Sequence, residues 1–194
     1  MARYAPLAEE ITDVKRKRGW LLESLRANLF PAFTERGFTS VVPVLHGPID
    51  REYKESFPLG SFVRKREHSV DFIEIQLAPY RADYFRINAG VRSKEGLVTE
   101  NGHEVFDASL APWSQRFELL ANPRLWWFWS WSWFTVHTWF RKPAPVDYDR
   151  LALRVAGYLT ELQMAFQQDR LGPHVRRAWL PASAFQSNER PSPH

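Results

Sequence analysis

The sequence predicts an α+β fold: an antiparallel meander sheet of five or six strands, with an N-terminal and a C-terminal helix packed on one face. Three observations lead there. Apolar residues recur at helical spacing near both ends, the middle of the chain alternates apolar and polar residues, and Asn101-Gly102 is a strong hairpin signal.

The first helix is expected from about Thr12 or Asp13, weakened at Gly19, and is clearest where Trp20, Leu21, Leu25 and Leu29 mark one face. Pro31 should interrupt it, leaving a short turn over 32–36 that ends at Gly37, a plausible C-cap glycine. Residues 41–45 are β-rich, but Pro43 demotes them to an edge strand. Strands are then expected over 61–66, 70–78 and 83–92, with 97–100 and 103–106 flanking the Asn-Gly turn. Residues 109–120 read as a short helix with Pro112 near its start. After Pro143 and Pro145, Asp147 or Asp149 should cap a long helix to about Arg170. Its buried stripe is Leu151, Val155, Leu159, Leu162 and Phe166, and Gly172-Pro173 should stop it.

The chain has 194 residues, of which 25% are charged and 44% hydrophobic. That is enough for one substantial core, so a single domain is expected over 12–182, with 1–11 and 183–194 as tails. The absence of cysteine excludes a disulfide scaffold, a thiol nucleophile and any thiolate zinc site. A net charge of +4 is compatible with an acidic partner or nucleic acid, but the basic runs at 15–18, 64–66 and 176–177 read first as solvated faces. The uncharged stretch 125–140 falls short of a membrane span, and no apolar leader is expected, so a cytoplasmic protein is the default.

Several short motifs occur in a particular order. Leu29-Phe30-Pro31-Ala32-Phe33 leads to Gly37-Phe38, then to Asp71-Phe72-Ile73-Glu74-Ile75-Gln76 and Tyr84-Phe85-Arg86-Ile87-Asn88-Ala89-Gly90-Val91. Arg116-Phe117-Glu118-Leu119-Leu120 and the pair Trp126-Trp127 follow. In this order the chain resembles, over roughly 21–165, an uncharacterised bacterial family known only as a domain of unknown function. The resemblance implies an α+β fold and carries over no catalytic residue.

The two central strands give the sharpest functional expectation. Ile73, Ile75 and Leu77 should point one way with Phe85, Ile87, Ala89 and Val91. Phe72, Glu74, Gln76, Tyr84, Arg86, Asn88 and Arg92 should point the other way. Either permitted register sets Glu74 beside Arg86, directly or on the diagonal. The expected ligand-binding set is therefore Arg64, Glu74, Gln76, Tyr84, Arg86 and Asn88, with Arg66 an alternative to Arg64. Such a face is either an ordinary solvated surface or a platform that grips a ligand or partner. It holds an amide, a guanidinium and a phenol, but no nucleophile–base pair.

Trp127, Trp129, Trp131 and Trp133 alternate with Phe128, Ser130, Ser132 and Phe134. As a strand from about Trp129, this places the indoles on one side; as a helix capped by Asn122, it would be apolar nearly all round. It is either an aromatic wall of the core or a contact surface for a protein partner, a second copy, a membrane surface or stacked bases.

Other chemistry is poorly supported. His103-Glu104 with Asp107 imitates a zinc-protease helix but belongs to an expected hairpin, and His68 and Asp71 straddle a turn. No metal site is expected. No P-loop, G-x-S-x-G or dinucleotide fingerprint occurs, so no cofactor is expected either. The sequence thus favours a non-enzymatic protein- or ligand-binding module. A single-stranded nucleic-acid binder using Arg64, Arg66, Arg86 and Arg92, and a small hydrolase or transferase assembled in space, remain the alternatives.

Overall fold

In a computed structural model, the structure describes residues 5–41, 54–78, 83–93, 115–122, 133–138 and 140–178, with side chains of the first helix described from Thr12. The chain opens with helix α1 (Ala5–Ser24), passes through a π-helical turn (Leu25–Leu29) and continues as α2 (Phe30–Glu35). The helix therefore begins at Ala5, so 5–11 continue it instead of forming the loose arm expected there, and Gly19 does not break it. Pro31 does not end it either. A proline lacks an N–H and crowds the carbonyl four residues back, and the chain meets this by widening one turn. Phe30 N–H donates to the Leu25 carbonyl, five residues behind it. Leu21, Leu25 and Leu29 stay fully buried through the change.

The expected stop at Gly37 is present in full. Gly37 N–H donates to the Thr34 carbonyl at 2.9 Å and Phe38 N–H to the Phe33 carbonyl at 3.1 Å, with Gly37 at φ +80°. This is a Schellman closure, which requires the left-handed conformation that glycine adopts most easily.

Six strands follow in one antiparallel sheet: β1 (Thr39–Val41), β2 (Ser61–Lys65), β3 (Ser69–Leu77), β4 (Phe85–Ser93), β5 (Gln115–Leu119) and β6 (Val175–Arg177). Their spatial order is the chain order, and every neighbouring pair is antiparallel. Helix α3 (Pro145–Gln168) comes between β5 and β6. The α+β meander with helices on one face is thus the observed fold. Its strands differ in part from those expected. Residues 115–119 form a strand where a helix was expected, because Phe117 and Leu119 enter the core while Arg116 and Glu118 turn away. β6 was not expected. Pro43, the Asn101-Gly102 hairpin and most of the Trp-rich run, including 123–132, lie outside the described residues.

Helix α3 carries its expected stripe: Leu151, Val155, Leu159, Leu162 and Phe166 are all buried. Its first turn differs. Ala144 is the capping position, and Asp147 acts from the third helical position, accepting the Ala144 N–H at 2.9 Å. The helix ends at Gln168 with Asp169 left-handed (φ 55°), before the Gly172-Pro173 pair. Asp149 Oδ1 accepts from Ser24 Oγ at 2.7 Å and from Asn28 Nδ2 at 3.1 Å, which fastens α3 to the first helical stretch.

The core lies between helices and sheet. Ile73, Ile75, Leu77, Phe85, Ile87, Ala89 and Val91 meet Leu25, Phe33, Tyr148, Val155 and Phe166 there, as the alternation predicts. The opposite face of the sheet is the one that carries the candidate site. Its middle is not the solvated surface that was one expectation: Ser61, Glu74 and Asn88 are only 4–5% exposed. Beside them Val63, Val70 and Phe72 make a second small apolar cluster.

Candidate binding patch on the second sheet face

Register decides which side chains meet. β3 and β4 pair Glu74 with Asn88 and Gln76 with Arg86, so Glu74 and Arg86 are diagonal neighbours, the second of the two expected geometries. β2 places Ser61 opposite Glu74, β5 places Glu118 opposite Asn88, and β6 places Arg176 opposite Glu118. One polar row, Ser61–Glu74–Asn88–Glu118–Arg176, thus crosses five strands on one face.

Gln76 organises the next row. Its Oε1 accepts from Arg86 Nε at 2.6 Å and from Asn88 Nδ2 at 3.2 Å. Two donors converging on one amide oxygen fix both side chains and set the two heads close together. Trp133 closes the end of this row. Phe85 and Phe134 exchange backbone hydrogen bonds of 3.1 and 2.6 Å, which turns Phe134 toward the core and its neighbour Trp133 toward the second face. The Arg86 guanidinium lies over the Trp133 ring at 5.1 Å, and Tyr84 meets the same ring edge-on at 5.2 Å. Cation–π contact and an amide acceptor therefore hold the guanidinium in one orientation.

The electrostatics are uneven along this face. Ser61 Oγ donates to Glu74 Oε1 at 3.1 Å, and Arg176 holds Glu118 Oε2 through Nε (3.0 Å) and Nη2 (2.5 Å). Arg86 makes no ion pair with a carboxylate among the described residues. Burial pulls its guanidinium below the ordinary arginine range; the Glu118 charge opposes this, and Arg116 and Arg176 add to it. Asn88 has its amide donor on Gln76, while its Oδ1 is buried without a hydrogen-bond partner among the described residues. The patch thus has Glu74 and Asn88 buried at its centre, with Gln76, Tyr84, Arg86 and Trp133 half-buried beside them.

Five of the six expected site residues come together here: Glu74, Gln76, Tyr84, Arg86 and Asn88. Arg64 does not join them. β2 pairs Arg64 with Asp71, which puts both on the helix-bearing face. There Arg64 donates to Asp71 Oδ2 through Nε (2.9 Å) and Nη2 (2.7 Å) and lies over the Phe38 ring at 4.7 Å. Arg66 also pairs with Asp71, at 2.6 Å. Sequence reasoning missed Ser61, Glu118, Arg176 and the placement of Trp133. The alternation Arg116-Phe117-Glu118-Leu119 carried the signal for Glu118, once read at period two instead of as a helix.

A second polar pair lies elsewhere. Glu161 on α3 accepts the His174 N–H on Oε2 at 2.7 Å and meets His174 Nδ1 with Oε1 at 2.8 Å, while Tyr158 stacks on the imidazole at 3.8 Å. Both carboxylate oxygens serve the 172–174 turn, so the pair acts as a clasp between α3 and β6. Among the described residues no group of three His, Asp or Glu is placed to hold a metal ion, and no helix is long and apolar enough to cross a membrane. No family model, curated protein or solved structure matches the chain.

Proposed function

We propose that this protein is a non-enzymatic binding module, and that the half-buried patch around Arg86 on the second face of its sheet holds an anionic group of a small ligand. One observation carries the reading. Arg86 is a half-buried guanidinium, oriented by Gln76 and Trp133, with no carboxylate at ion-pair distance among the described residues. A charge kept out of water and aimed by its neighbours is prepared for an anion, because the cost of ordering it is met before the ligand arrives.

The alternatives have less support. A nucleic-acid groove needs its cations on one surface, but Arg64 and Arg66 stand on the other face and Glu74 and Glu118 share the face of Arg86. A hydrolase needs a free base near a nucleophile, and Glu161 and His174 already serve a turn. Contact with a second copy or another protein through the Trp-rich segment, and a cytoplasmic setting, belong to the same proposal.

Thermal-shift and calorimetric titrations with small carboxylates and phosphates test the reading, with wild type compared to Arg86→Met. Binding by wild type that the variant loses supports it. Equal responses from both proteins, or none from either, overturn it.

A further inference from the structure

We infer that the N-terminal half of α3 docks by its outer face on an anionic lipid surface. This goes beyond the Arg86 patch and concerns the other side of the sheet. Helix spacing builds the face. Val146, Arg150, Leu153 and Arg154 stand at positions i, i+4, i+7 and i+8, so they share one side of the helix, and all four are exposed. The stripe of Leu151, Val155, Leu159 and Leu162 points the other way, into the core. Val146 is 47% exposed and Leu153 57%, with Arg150 between them. Phe140 extends the same surface. Its side chain is fully exposed, and its neighbour Arg141 donates to Asp147 Oδ2 at 2.6 Å, which keeps Phe140 beside the first turn of the helix.

The exposed charge here has one sign. From Phe140 to Thr160 the exposed charged residues among those described are Arg141, Lys142, Arg150 and Arg154. The two carboxylates of that stretch are engaged within the protein, Asp147 by Arg141 and Asp149 by Ser24 and Asn28. On the adjacent α1, from Thr12 onward, Lys15 and Arg16 are exposed and Glu23 is the one exposed carboxylate among the described residues. An anionic partner is the electrostatic complement of such a face. The apolar residues choose the kind of anion. A phosphate backbone offers nothing to a projecting Val or Leu, whereas the boundary between headgroups and acyl chains takes Phe, Val and Leu from the same face as Lys and Arg. A folded protein would need a hollow cut for each projection, while a fluid bilayer forms around them. The helix lies on such a surface and does not span it.

Co-sedimentation of the full chain with large vesicles tests this, one set of phosphatidylcholine alone and one containing about a third phosphatidylserine. The expected result is binding to the anionic set only, weakened as salt is raised. Arg150→Glu with Arg154→Glu should weaken that binding by about tenfold or more, and Phe140→Ser with Leu153→Ser by about tenfold. These side chains are exposed, so both double variants should melt as wild type does. Should one fail to fold, judged by circular dichroism, the wild-type vesicle series and the other variant decide. Equal pelleting on both vesicle sets, no pelleting on either, or binding that survives either double change in a folded protein overturns the proposal. Binding of a labelled DNA duplex without binding of vesicles assigns the cations to nucleic acid and overturns it as well.

Discussion

Asp71 is fully buried on the helix-bearing face of the sheet and takes Arg64 on one carboxylate oxygen and Arg66 on the other. Arg64 in turn lies between Asp71 and the Phe38 ring and donates to the Arg36 carbonyl at 3.1 Å. This ionic cluster joins the first β-hairpin to the end of the helical layer. Removing one member leaves a buried charge without its counter-ion, which costs about 3–5 kcal/mol. Asp71→Ala is therefore expected to lower unfolding free energy by about that amount in urea titrations, with the Arg86 patch untouched because it lies on the other face. A loss below about 1 kcal/mol would show that the cluster is held by water instead.

Gly172 is expected to tolerate no side chain. A Cβ there would stand 2.4 Å from Glu161 Oε2 and 2.7 Å from Glu161 Cβ, and the second atom cannot swing away. Gly172→Ala should destabilise by about 1–3 kcal/mol through overpacking and displacement of the clasp on His174. In the Glu161→Gly background, which removes that Cβ as well, the same change should cost clearly less. Additive losses in that double-mutant cycle would refute the contact as the cause.

The first turn of α3 predicts an acid-sensitive step. Arg141, the Ala144 N–H and Arg150 hold the Asp147 carboxyl at about 2, below its ordinary 3.8. A depressed folded value means that the contribution is complete above pH 3.8 and is lost as pH falls toward 2. Asp147→Asn should flatten the dependence of stability on pH within that interval and leave it unchanged above pH 5. Thermal melts of both proteins from pH 2 to pH 6 supply the comparison.

Tyr148 is fully buried on α3, and its hydroxyl donates to Asp83 beside the start of β4. Burial, and then the Asp83 charge, push its phenol well above the ordinary 10.0. In an alkaline spectrophotometric titration this phenol should stay protonated until the protein unfolds, and Tyr148→Phe should remove that late step. The same variant strips Asp83 of a donor and should cost about 1–2 kcal/mol at neutral pH.

How much of this was legible in the sequence depends on how far a pattern runs. Residues 70–92 alternate long enough to fix both faces, and Gln76, Arg86 and Asn88 fall where the alternation puts them. Arg64 shows where the pattern stops helping. The β3–β4 hairpin pairs even numbers with even, as Gln76 with Arg86, whereas the β2–β3 hairpin pairs Arg64 with Asp71. A turn one residue longer or shorter sends a strand's side chains to opposite faces, and composition alone does not count the turn. Residues 115–119 illustrate a different limit. Five residues fit a helical turn or a strand equally well until their partner strands are known, and of the two, β4 and β6, the second lies far along the chain. Asn88 Oδ1 left no local trace at all, because an unsatisfied acceptor is a property of its surroundings.

β6 has one more consequence. The seams from β2 to β5 each join strands that follow one another along the chain, but the last seam waits until α3 has been made, since its strand comes after that helix. Closing it therefore carries the largest loop entropy in the sheet and belongs late in folding. Until then β5 offers a naked row of amides, and a chain cut short before Val175 would keep that sticky margin for good, open to pairing with whatever strand it next encounters.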